Sequence, residues 1–128
     1  MTIYTSILRE LGWPNIVLLP QDQYEQIYNC KLDDAWEVSL ERHVVVHRSS
    51  RGLLKKNLIY HGIGHILFPH WPHWKIECYA CRMARGGGTG YWTQHTGHSV
   101  SELPSRERLV ELSRRAAKRF NKRRRNYY

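Results

Sequence analysis

The chain has 128 residues, 41% of them hydrophobic, with five Trp and eight Tyr. That is enough for one domain with a real core, and it excludes a disordered chain. Net charge is +9, but residues 114 to 125 (RRAAKRFNKRRR) hold eight Lys/Arg and no acid, so taking those eight from +9 leaves the body at +1. No stretch approaches the roughly 18 uninterrupted apolar residues of a membrane span. The start, MTIYTSILRELGW, carries an acid and no cleavable apolar run, so a secretory signal is not expected. Three cysteines are too few for a disulfide framework. The expectation is an intracellular, cytoplasmic chain with reduced thiols.

Along the chain, Ile3, Ile7, Leu8 and Leu11 share one helical face, and Gly12 stops it. Ile16 to Leu19 is a short apolar run closed by Pro20, read as a buried strand. Asp22 is placed to cap a short helix through Tyr24, Ile27 and Tyr28. Trp36, Val38 and Leu40 alternate, and Val44, Val45 and Val46 follow, which predicts a hairpin of two strands.

A long helix is expected from about Gly52 to Phe68, with Leu54, Leu58, His61 and His65 on one face and Pro69 as its end. Pro72 opens a second, from about His73 to Arg85, where Glu77, Cys81 and Ala84 share a face. Gly86 to Gly90 reads as a flexible loop; it lacks the Lys-Ser/Thr pair that would make it a phosphate loop. A last helix from about Ser105 carries Leu109, Leu112, Ala116 and Phe120 on its apolar face. The expected fold class is α+β, a short sheet packed on about four helices with a basic C-terminal helix. The domain is read as residues 1–113 and the basic tail as 114–128.

His61-Gly62-Ile63-Gly64-His65 carries the chemistry. Histidines at i and i+4 of a helix lie about 6 Å apart at Cβ, close enough for both imidazoles to reach one tetrahedral zinc. A third ligand must come from elsewhere, and Glu77 fits, twelve residues beyond His65 after a proline-bounded turn. His70 and His73 flank Trp71 in the HWPHW turn and could substitute, although a turn packed by two tryptophans also explains them. Helix-interior Gly62 and Gly64 each cost about 1 kcal/mol against Ala, which suggests close packing against a neighbour.

Residues 42 to 84 resemble the core of zincin metallopeptidases, especially the small ImmA/IrrE-like and SprT-like groups. The shared order is a strand (His43 to His47), a helix with HxxxH (LIYHGIGHILF) and a following helix with a glutamate (WKIECYACRMA). The resemblance implies His61 and His65 as ligands of one zinc per chain, with Glu77 as a third. One position departs from the pattern. The family has HExxH, whose glutamate activates the zinc-bound water, and here that position is Gly62. General-base help typically contributes about 10²- to 10⁴-fold. The expectation is therefore a zinc-binding domain acting as a structural or assembly component, with an atypical metallopeptidase or hydrolase as the alternative.

Cys78, Cys81, His95 and His98 form C-x2-C-x13-H-x2-H, close to zinc-finger spacing. Cys78 and Cys81 fall inside a predicted helix, however, where two small apolar packing groups serve equally well. Cys30 is isolated and expected to pack. The basic residues Arg114, Arg115, Lys118, Arg119, Lys122, Arg123, Arg124 and Arg125 call for an acidic protein surface or nucleic acid. A nucleic-acid-binding protein is thus a further alternative. Through this basic tail the chain is expected to join a larger assembly, such as a phage virion or nucleoprotein complex.

Overall fold

The computed structural model describes residues 2–31, 37–40, 42–46, 50–85 and 97–126. Trp36, the loop from Gly86 to Gly90, His95, Tyr127 and Tyr128 lie outside them. The described chain is α+β. Its elements run α1 (Ile3–Glu10), β1 (Val17–Pro20), α2 (Gln21–Tyr28), β2 (Glu37–Leu40), β3 (His43–Val46), α3 (Gly52–Leu67), α4 (His73–Arg85), a 3₁₀ turn (Val100–Glu102) and α5 (Arg106–Asn126).

Local chemistry explains most boundaries. Thr2 caps α1 by accepting from the Thr5 backbone N–H. Gly12, at φ +79°, takes the chain out of that helix in the left-handed region where a side chain is strained. Asp22 proves to be inside the first turn of α2 rather than its cap; Pro20 holds the cap position, where its extended backbone suits the start of a helix. Leu67 is the last residue of α3, Phe68 holds the C-cap and Pro69 follows it. Ser99 and Glu102 form a capping box around the 3₁₀ turn.

The sheet has the order β1-β3-β2. β2 and β3 make the expected antiparallel hairpin, with Val38 opposite Val45. β1 pairs parallel to β3, with Leu18 opposite Val44. Val44, Val45 and Val46 are buried, because β3 is the central strand and α3 covers it.

α3 is the core helix. It packs on the sheet, on α4 and on α5, and residues Asn57 to Tyr60, Gly62 to Gly64 and Leu67 are all buried. A helix surrounded on most sides needs apolar residues around most of its circumference. The strip bearing Leu54, His61 and His65 is the less buried one. Gly64 accounts for the closeness of α3 to α4: a Cβ there would lie 3.1 Å from Tyr79 and 3.2 Å from Ile76. Tyr79 is fully buried and its hydroxyl donates to Ser113 Oγ at 2.7 Å, since Ser113 itself donates to the Leu109 carbonyl.

The division read at residue 113 falls inside α5. Leu109, Ser113, Ala116 and Ala117 are all buried along one face, so the first part of the basic stretch belongs to the packed domain. Asn121 accepts from the Asn15 backbone at 2.7 Å and donates to the Trp13 carbonyl, which ties this helix to the turn after α1.

A second polar device crosses the core. Arg106 makes a two-pronged ion pair with Glu10, at 2.8 and 2.9 Å, and its Nε donates to the Met83 carbonyl. Tyr60 donates to the same carboxylate at 2.8 Å. One carboxylate thus joins α1, α3, the end of α4 and the start of α5.

Candidate metal centre

His61 and His65 project from the less buried strip of α3, one turn apart. His73 is the first residue of α4, and the turn through Pro69 and Pro72 folds α4 back so that its first turn faces them. Nε2 of His61 lies 2.9 Å from Nε2 of His65 and 3.3 Å from Nε2 of His73. One ligand atom from each of the three lies within 4.8 Å of the others, close enough to hold a metal ion. Two ligands at about 2.0–2.1 Å from a tetrahedral zinc stand about 3.3 Å apart, so the His61–His65 and His61–His73 distances fit that ion within a few tenths of an ångström, and the third pair lies within 4.8 Å.

Protonation favours the same chemistry. Burial, with His65 and His73 close by, pushes His61 down to about 3. Burial and the nearby His73 also hold His65 below the usual histidine range. Both rings are therefore neutral near pH 7, with lone pairs to give. Two neutral imidazole nitrogens 2.9 Å apart need either a proton or a cation between them.

The third converging group is thus a histidine rather than Glu77. Glu77 stands one step behind it. Its Oε1 is 3.5 Å from Nδ1 of His73, across one turn of α4. That leaves Nε2 of His73 facing the other two rings and Nδ1–H facing the carboxylate, the tautomer that a metal-binding imidazole needs. Glu77 is only 12% exposed while His73 is 62% exposed, so the cluster opens to solvent on the His73 side. Among the described residues, Oε2 of Glu77 is buried without a hydrogen-bond partner, an arrangement that favours positive charge nearby.

Gly62 is buried on α3 beside the cluster and offers no side chain as a base. Glu77 is directed at Nδ1 of His73, on the side of the ring away from the Nε2 that meets His61. Three imidazoles with an exposed fourth side can hold an ion and one further ligand.

His73 was legible only as an option in the HWPHW turn. The usable signal was its place as first residue after Pro72, a helix start that must pack against α3 if α4 folds back. The cysteine-histidine alternative divides differently. Cys78 and Cys81 are buried in α4, with Cys78 pushed up to about 11, chiefly by burial and then by the neighbouring Cys81. Asn57 Nδ2 donates to Cys81 Sγ at 3.4 Å. His98 is stacked on Trp74 and meets Glu102 at 3.1 Å. Among the described residues, the metal-compatible group is His61, His65 and His73. Cys30, expected to pack, is exposed at the end of α2.

Of the basic residues, Arg114 donates to the Glu10 carbonyl at 2.7 Å and Arg115 pairs with Glu111 at 2.7 Å. Lys118, Arg119, Lys122 and Arg123 are exposed. The side chains of Arg124 and Arg125 lie outside those described. Among the described residues no helix is long and apolar enough to cross a membrane.

No family model matches the chain, and no curated protein or solved structure matches it significantly.

Proposed function

We propose that this domain binds one zinc ion through His61, His65 and His73, with Glu77 orienting His73, and that the ion serves structure or assembly rather than peptide hydrolysis. The observation that carries the reading is the convergence of three Nε2 atoms at 2.9 and 3.3 Å. Bound there, zinc would join α3 to the start of α4 and add its binding energy to folding. The zincin-like order of strand, HxxxH helix and glutamate-bearing helix supports a shared ancestry, with Gly62 in the place of the base.

A zinc titration of the metal-stripped protein tests this. The melting temperature should rise until one equivalent has been added, and casein or unstructured peptides should stay intact in the loaded protein. Cleavage that a chelator abolishes would instead favour the metallohydrolase alternative, and an unmoved melting temperature would remove the metal reading altogether.

A further inference from the structure

A cavity of about 210 Å³ lies where the turn joining α3 to α4 meets α5, lined by Phe68, His70, Trp71, Phe120, Arg119 and Arg123 among others. It is smaller than the roughly 300–1,000 Å³ of sites that enclose a whole small molecule. It therefore suits one ring of a longer ligand. Arg119 and Arg123 stand one turn apart on α5, and among the described residues neither has a carboxylate partner. Arg115, one turn before, is by contrast neutralised by Glu111. Trp71 is held between Phe68, stacked on one face at 4.0 Å, and the Lys75 ammonium, 4.2 Å from its ring centre on the other, so it lends the cavity its ring edge. The cavity thus joins a rigid apolar and aromatic wall to a rim of two guanidinium groups, each a fork of donors matched to phosphate oxygens.

We propose that this cavity receives one nucleotide of a single-stranded nucleic acid, its base against the aromatic wall and its phosphate between Arg119 and Arg123. Alternating anion and flat ring is the pattern of a nucleotide chain, and sites for single strands combine a basic track with aromatic surfaces. Lys118 and Lys122, exposed on the adjoining strip of α5, extend the track beyond the cavity. A duplex keeps its base faces stacked inside the helix, so it presents phosphates and groove edges but no free ring. An acidic peptide would use the cations and leave the aromatic wall idle. The inference is independent of zinc binding.

The test is fluorescence anisotropy of the full chain with a labelled ten-residue oligothymidylate, at several salt concentrations. Two double variants remove equal charge: Arg119→Ala with Arg123→Ala at the cavity, and Lys118→Ala with Lys122→Ala beside it. Each should flatten the log–log salt slope by about 0.7 per lost phosphate contact. At fixed salt, only the cavity variant should lose a further tenfold or more. Arg119→Lys with Arg123→Lys should keep the slope yet bind more weakly, because ammonium groups lack the fork. Equal losses in the two alanine variants would overturn the proposal, as would equal competition by a blunt duplex or by polyglutamate. Absence of binding at low salt would overturn it too. Unchanged circular dichroism melts establish that each variant is folded.

Discussion

Nδ1 of His73 lies 3.5 Å from Oε1 of Glu77, so this carboxylate faces the side of the imidazole turned away from His61. This relationship separates orientation from ligation. Outer carboxylates of this kind typically raise metal affinity about 10- to 100-fold. Glu77→Gln should therefore keep a stoichiometry of one zinc while weakening affinity by about that factor, measured by competition with a chromophoric chelator. Loss of stoichiometry on this substitution would make Glu77 a direct ligand.

Gly64 sets how closely α4 approaches α3. In Gly64→Ala the new methyl would meet Tyr79 at 3.1 Å and Ile76 at 3.2 Å, both fully buried and unable to swing away. Overpacking of this kind costs about 1–3 kcal/mol, against a gain of about 1 kcal/mol in helix propensity. A net loss of stability is expected in denaturant melts. Zinc affinity should fall with it, because His73 sits on the displaced helix. A stabilised Gly64→Ala variant would show that the two helices are less closely fitted.

Glu10 gives the fold a defined acid sensitivity. Burial raises its pKa, but hydrogen bonds from Arg106 and Tyr60 and the Arg106 charge outweigh this and hold it below the ordinary value of 4.5. The folded value is thus depressed relative to the unfolded one. Its contribution is fully present above 4.5 and is lost as the pH falls from there through the lower folded value. Glu10→Gln should destabilise the protein at neutral pH by about 2 kcal/mol, since it leaves Arg106 partly unpaired. The same variant should show a shallower fall in melting temperature below that pH. Parallel profiles for wild type and variant would assign the acid sensitivity to other groups.

Thiol reactivity distinguishes the two metal sets that the sequence offers. Cys30 is exposed, whereas Cys78 and Cys81 are buried in α4, with Cys78 held protonated. One thiol per chain should react quickly with a disulfide reagent in the native protein and three in denaturant, with or without a chelator. A chelator that releases two further thiols would point to Cys78 and Cys81 as ligands.

Periodicity made the α-helical frame legible: α4 runs from His73 to Arg85 and α3 begins at Gly52, as their apolar spacing and flanking prolines require. The β2–β3 hairpin was also readable, because both strands are local. What periodicity could not supply was long-range placement. The parallel pairing of β1 with β3 joins segments separated by a helix, and nothing in Val17 to Pro20 names its partner. The same limit applied at the site. His61 and His65 are related by one helical turn, so their convergence follows from spacing alone. The place of His73 depends on α4 folding back on α3, which rests on the contact of Gly64 with Ile76 and Tyr79. The glycine advertised close packing without naming what packs. Glu77 was found as a relevant acid, but its role depends on a rotation of α4 that brings His73 to the front.

Elemental analysis of the purified protein beside His73→Ala, His61→Ala with His65→Ala, and Glu77→Gln decides whether the three histidines hold the ion. The three-histidine site predicts about one zinc per chain in the wild type, little in either histidine variant, and one zinc in Glu77→Gln when the ion is in excess. Zinc retained by His73→Ala but lost from Glu77→Gln would contradict it, as would a wild-type protein that takes up no zinc.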